Sequence, residues 1–385
     1  MSGAGDCPNR GYLEMTAISI FLALQLSFFI IRYVYHKMCL KDLDVSLNFS
    51  SNTATEGDNL TLSTVLTNSK WLPLPWVAVK FQVSKFLHFS DMESAQISDD
   101  YYRNDLYNVM MYQRITRKLD FACTKRGFYN FKNLDITCWD ILMNRKYVSN
   151  FFCDADLTVY PSTLEMPEIE DMFQRINGNL QAKRFIHPDP FTFRGIREYA
   201  PNDPVKAINF KASAKTQDLM VNLWDYSVSR QVILMLNLQK QSVWHNELLD
   251  ERAIKIVASL AEKLAAAHIP VRFITNGSGI LTGKGVDLPE GSGVKHLRLI
   301  LEALAHIDLT QPPSAPFADI LSKSYNLYQQ EPEYWLVSTY HGEDIETAYA
   351  RLGSMGAKSA WIVPYSEQVY VDEGLQLRHN LIMVE

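Results

Sequence analysis

Between Phe193 and Thr216 the chain reads FRGIREYAPNDPVKAINFKASAKT, which gathers Arg194, Arg197, Lys206, Lys211 and Lys215 around Glu198 and Asp203. Charges crowded in this way have three uses. In a hydrolase or transferase, Ser213, Thr216 or Asp203 would carry the chemistry within the charged stretch. As a surface, the stretch would receive an acidic partner or an anion. As structure, Arg197–Glu198 and Lys206–Asp203 would be ion pairs pinning one domain to the next, which fix geometry more than they add stability.

Other chemistry-bearing patterns are weaker. Asn276–Gly285 (NGSGILTGKG) is glycine-rich and follows an apolar run. It fails the phosphate-loop pattern twice, at Ser278 and at Gly285, and reads as a turn or hairpin. The His341-Gly-Glu343 string lacks the spacing of a zinc enzyme, and no GxSxG nucleophile elbow is present. Five cysteines, Cys7, Cys39, Cys123, Cys138 and Cys153, form no CxxC pair, so they read as reduced thiols in a reducing compartment. A net charge of -6 argues against nucleic-acid binding.

The elements that must position these residues follow from periodicity. Met15–Ile31 (MTAISIFLALQLSFFII) carries no charge, and about 20 apolar residues cross a bilayer. One transmembrane helix is expected over 12–35, after a tail of 1–11. Asp6 and Glu14 offset Arg10, and no small-residue cleavage site follows, which sets it apart from a signal peptide. Arg32, Lys37 and Lys41 mark the following flank as cytoplasmic.

Residues 40–162 alternate apolar and polar positions, as in Leu43–Phe49, Leu60–Leu66 and Trp76–Val83, with turns between them. That pattern predicts an all-β, immunoglobulin-like sandwich. After a connecting segment over 163–229, strands and helices alternate through 230–385. Val232–Leu236, Pro270–Thr275, Tyr334–Ser338 and Ala360–Val363 are expected strands; 246–267, 294–306, 317–327 and 343–352 are expected helices. The prediction is a doubly wound α/β domain, making the whole chain an α+β multidomain protein.

The 193–216 stretch resembles the signature of the DUF58 family, a run like R-E-Y-x-x-G-D-x-x-R-x-I-x-W-x-x-S-A-R-T preceding a von Willebrand factor A-like domain. Arg197-Glu198-Tyr199, Asp203, Lys206, Ile208, Lys211, Ser213-Ala214 and Lys215-Thr216 fall in register, and Asn209 lies within the run. Phe210 stands where Trp is usual, Asn202 where Gly is usual, and Lys206 and Lys215 replace Arg. Lys125–Tyr129, Cys138–Leu142 and Val159-Tyr160-Pro161 resemble lesser landmarks of the family, the second in degraded form.

The resemblance implies a von Willebrand A-like domain whose first strand would end in a D-x-S-x-S metal loop. Here the matching positions read Asn237-Leu238-Gln239-Lys240-Gln241, and Ser338-Thr339-Tyr340 stands where a later Asp would be offered. Neutral Asn237, Gln239 and Gln241 with a cation at Lys240 predict no metal and no other cofactor. Family members are thought to act beside MoxR-type AAA+ ATPases and transglutaminase-like membrane proteins. The implied function is a non-enzymatic adaptor in a bacterial inner-membrane complex, with its body in the cytoplasm and protein partners rather than nucleic acid. Two alternatives stay open: an enzyme using the 193–216 stretch, and a metal-dependent adhesion module.

Overall fold

The computed structural model of the chain describes residues 9–90, 100–165, 167, 169–171, 173–174, 193–201, 203–224, 231–240, 247–325, 332–365 and 380–383. It divides into two compact units, Met1–Val159 and Tyr160–Glu385. The expected boundaries shift accordingly. Helix α1 spans Asn9–Met38, longer at both ends than 12–35, so part of the expected tail is helical. The second unit starts at Tyr160 rather than 230, because the connecting segment packs with it. Leu164 donates its backbone N–H to Ser259 Oγ at 2.7 Å, and Ile169 and Phe173 lie in the α/β core.

Within α1, Met15–Met38 is long and apolar enough to cross a membrane, and its apolar side chains from Met15 to Ile31 are mostly exposed. Its last turn is different. Tyr35 and Cys39 are buried in the core of the first unit, and Tyr35 Oη donates to the Pro73 carbonyl at 2.8 Å.

That first unit is a β-sandwich. One sheet runs β1 (Leu43–Phe49), β3 (Asn59–Asn68), β7 (Arg114–Cys123), β5 (Leu87–Phe89). The other runs β2 (Thr53–Thr55), β9 (Lys146–Tyr160), β8 (Gly127–Trp139), β4 (Leu74–Ser84), β6 (Asp100–Val109). Alternation places Val45 and Leu47 of β1 and Val77, Val79 and Phe81 of β4 in a shared core with Phe121, Leu134 and Ile136.

The second unit holds a six-stranded sheet in the order β14 (Val286–Gly291), β13 (Val271–Thr275), β12 (Val232–Asn237), β15 (Glu333–Ser338), β16 (Lys358–Tyr365), β17 (Asn380–Met383). All pairings are parallel except β13 with β14. This is the doubly wound order 3-2-1-4-5-6, with its switch point between β12 and β15. Strand β12 is buried along its whole length. Val232, Leu234 and Leu236 face helices α3 (Glu247–Ala266) and α4 (Gly293–Ala305). Ile233 and Met235 face α5 (Phe317–Tyr325) and α6 (Glu343–Ser354). The glycine-rich run joins β13 to β14 as a hairpin, in keeping with its turn chemistry.

A further two-stranded ribbon pairs β10 (Phe193–Glu198) with β11 (Met220–Trp224) in antiparallel fashion. Between its strands lie a 3-10 turn at Val205–Ala207 and the short helix α2 (Phe210–Thr216).

Candidate functional site

Two places in the second unit collect the residues singled out by sequence: the switch point of the sheet and the ribbon. At the switch point, β12 ends on Asn237 and β15 on Ser338, side by side and both fully buried. Asn237 Nδ2 donates to Ser338 Oγ at 3.0 Å. Its Oδ1 accepts from Gln239 N at 3.0 Å and from Asn276 Nδ2 at 2.9 Å. Asn276 Oδ1 in turn accepts from Leu238 N at 2.9 Å. Ser338 Oγ takes Tyr340 N at 3.1 Å and gives its proton to the Tyr340 carbonyl at 2.9 Å.

The outer members of this network reach further. Gln239 Oε1 accepts from Phe317 N at 3.2 Å, at the start of α5. Lys240 Nζ donates to the Leu309 carbonyl at 3.0 Å. Both oxygen lone pairs of Asn237 are thus engaged, and its neighbours are amides and hydroxyls rather than carboxylates. An amide network of this kind stitches strand ends to loops; beside it the buried Asp250 carboxylate accepts from Thr339 Oγ1 at 3.4 Å. Among the described residues, no group of three or more His, Cys, Asp or Glu is placed to hold a metal ion. Gln241 lies outside the described residues.

Asn276 is the member that sequence reasoning missed. In sequence it opens the glycine-rich run; in the fold it closes the network from the end of β13. The signal was present: an Asn directly after a buried parallel strand, matching Asn237 after the neighbouring one.

In the ribbon, the expected ion pairs are not those formed. Arg197 pairs with Asp203, not Glu198: Nη1 meets Oδ2 at 2.6 Å and Nη2 meets Oδ1 at 2.5 Å. To Glu198 it gives a hydrogen bond, Nη1 to the main-chain carbonyl at 2.9 Å. Asp203 Oδ2 also accepts from Ala200 N at 2.8 Å. The turn between Tyr199 and Asp203 doubles the chain back, so the residue six positions on reaches the guanidinium. Lys206 pairs with no carboxylate among the described residues and is exposed. The hydrogen bond with Arg197, foremost, and that from Ala200 hold the Asp203 carboxyl below its usual range.

Asn209 caps α2, with Oδ1 accepting from Ala212 N at 3.0 Å and Nδ2 donating to Asn222 Oδ1 at 2.7 Å. Ser213 Oγ donates to the Asn209 carbonyl at 2.9 Å and accepts from Met220 N at 2.8 Å. Thr216 Oγ1 donates to the carbonyls of Ala212 and Asp218. Tyr199 enters through its backbone, N–H to Leu219 carbonyl at 2.8 Å. Each hydroxyl is therefore committed to backbone, and no acid–base pair is poised on either of them. Arg194 lies in β10, with its side chain outside the described set.

What the ribbon presents outward is a mixture. Lys206, Lys211, Lys215 and Glu198 are exposed, beside Val205, Phe210 and Leu219 at 68%, 72% and 53% exposure. Helix α2 has no buried residue at all.

No model of a known protein family matches the chain, and no curated protein matches it either. Among solved structures, it is similar to the CARDB domain of a Pyrococcus furiosus protein in complex with di-metal ions: 12% identity over 31% of this chain and 96% of that one, TM-score 0.19. The seventh ScaB type I cohesin from Pseudobacteroides cellulosolvens matches at 9% identity over 32% of this chain and 96% of that one, TM-score 0.20. A non-cellulosomal cohesin from Archaeoglobus fulgidus matches at 12% identity over 34% and 97%, TM-score 0.22. At such scores these likenesses carry no argument, and the reading of the chain rests on its own geometry.

Proposed function

We propose that the chain is a membrane-anchored, non-enzymatic adaptor of the DUF58 kind, with a von Willebrand A-like second unit whose metal loop has become an amide network. Its partner would be a MoxR-type AAA+ ATPase, together with other membrane proteins, in the assembly or maintenance of a bacterial envelope complex. Arg32, Lys37 and Lys41 favour a cytoplasmic body. The observation that carries the reading is the ribbon. It spends its polar groups on holding its own shape, yet leaves Phe210, Val205 and Leu219 outside among three exposed lysines, Lys206, Lys211 and Lys215. Exposed aromatic and aliphatic groups ringed by charge fit a protein-recognition surface better than a catalytic one.

The test is affinity purification of the detergent-solubilised full chain with and without ATP, followed by mass spectrometry. Nucleotide-dependent recovery of an AAA+ ATPase, lost in a Phe210→Ser, Lys211→Glu variant, supports the adaptor. Recovery of the same ATPase with the variant, or of no ATPase under either condition, overturns it.

A further inference from the structure

The sandwich has two unlike ends. At the far end, the turns carry Glu56 and Asp58, Lys85, and Lys125 with Arg126. At the end where α1 enters, three loops carry apolar tips: 69–73 between β3 and β4, 110–113 between β6 and β7, and 140–145 between β8 and β9. Trp71, Met111 and Tyr112 are 51%, 56% and 70% exposed; Ile141, Leu142 and Met143 are 50%, 49% and 56% exposed.

These loops form one surface joined to α1. Asn68 Nδ2 donates to the carbonyls of Leu72 and Met110, both at 2.9 Å, and Tyr112 N donates to the Lys70 carbonyl at 3.1 Å. The first loop meets α1 through Tyr35 and Pro73. The third runs up alongside it: Arg145 shares a groove of about 470 Å³ with Phe29, Ile30, Arg32, Tyr33 and His36. Phe29 is seven residues before His36, about 10 Å further along the helix. Loop 140–145 therefore stands beside the last turns of the apolar span Met15–Met38.

Loop conformation points the same way. Tyr112 and Met143 adopt φ of 51° and 52°, the left-handed region that favours Gly or Asn. Large apolar residues held there, at exposed tips, mark a constraint other than folding economy. The one carboxylate of the third loop is turned inward: Asp140 is buried and its Oδ1 accepts from Asn144 N at 2.8 Å. Arg145 and Lys146, where the loop returns to β9, are exposed.

We propose that these three loops are a lipid seat. Trp71, Met111, Tyr112, Ile141, Leu142 and Met143 lie in the boundary between headgroups and acyl chains of the bilayer that α1 crosses, with Arg145 and Lys146 against lipid phosphates. Aromatic and aliphatic tips beneath a cationic rim are what that boundary accepts. A second copy or a soluble partner would have no reason to share its surface with the membrane-crossing helix; a bilayer must meet both.

The proposal rests on α1 crossing the bilayer, part of the preceding reading, and the two are separable. The full chain, carrying Leu142→Cys, Met111→Cys or, at the far end, Asn59→Cys, is labelled with an environment-sensitive fluorophore and reconstituted into vesicles of mixed zwitterionic and anionic lipid. The unsubstituted chain is the blank for native thiols. Resistance of the reconstituted chain to alkaline extraction reports the anchor. Lipids bearing a nitroxide high on the acyl chain are expected to quench the labels at 142 and 111 roughly two-fold or more and leave that at 59 unchanged. Extraction of the chain overturns both readings. A resistant chain whose labels at 142 and 111 stay in water, or are shielded without lipid quenching as in a dimer or a protein complex, overturns the lipid seat alone.

Discussion

Arg197 and Asp203 form a two-pronged pair across a turn of six residues, at 2.6 and 2.5 Å, and the carboxylate also takes the Ala200 N–H. In Asp203→Asn the ribbon loses its charge-assisted bonds, so the amides of Tyr199 and Ala200 should exchange hydrogen several-fold faster. Arg197→Lys should not preserve protection, because an ammonium cannot make both contacts at once. The folded carboxyl sits below its ordinary value of 3.8, so its contribution is present above that pH and is lost as pH falls through the folded value. Exchange rates unchanged in Asp203→Asn would show that the pair does not order the turn.

The amide network predicts a larger cost at Asn237. Asn237→Ala removes the acceptor of Gln239 N, the nearer of two acceptors of Asn276 Nδ2 and a donor to Ser338 Oγ in a buried site, at about 1–3 kcal/mol. Asn237→Asp should cost at least as much, because it buries a charge and puts an acceptor where Nδ2 donates to Ser338 Oγ. Urea titration of the full chain, followed by the fluorescence of Trp335 and Trp361, measures both. A stable Asn237→Asp chain whose midpoint rises with Mg²⁺ would mean the site still accepts a metal.

Lys70 is 3% exposed and its Nζ has no hydrogen-bond partner among the described residues. Burial depresses its pKa, opposed by Cys39, Cys138 and Asp42. Lys70→Met should therefore stabilise the sandwich by about 1–3 kcal/mol near neutral pH. A cation of depressed pKa costs stability below its folded value, and that cost vanishes as pH rises towards its ordinary value of 10.5. The advantage of the methionine should shrink over the same range, as read by hydrogen exchange at β8. A destabilised Lys70→Met chain would show that the ammonium has a compensating partner.

His341 shows the same logic at lower pH. Its Nδ1 is buried without a hydrogen-bond partner among the described residues, and burial pulls its pKa down from 6.5 against the opposing pull of Glu346. The folded imidazole resists protonation, so the second unit should lose stability as pH drops below 6.5. His341→Gln should flatten that slope in melts between pH 7.5 and 5. An identical slope in the variant would assign it to other groups.

Legibility in the sequence followed from how local the determining physics is. Strand β12 was readable because Val232–Leu236 is apolar on both faces, as only a central parallel strand requires. Helix α1 was readable from composition alone, although its end was not, since Tyr35 and Cys39 look no different from their exposed apolar neighbours until the sandwich closes on them. Strand β14 was missed because Val286–Gly291 is a half-exposed edge containing Pro289, without the period of a buried strand. Helix α2 was missed because it buries nothing and so carries no stripe. The partner of Arg197 and the role of Asn276 depend on turns and neighbouring strands, and residue spacing carries no record of either.

The ribbon has one more property. Phe193 and Trp224 are opposite each other where its strands begin and end, so the chain departs and returns at a single point. Topologically, all that lies between them is a detour. It can be trimmed, lengthened or exchanged without altering the order in which the six strands of the sheet are laid down, which leaves Phe210 and its neighbouring lysines free to diverge while the fold beneath them stays constant.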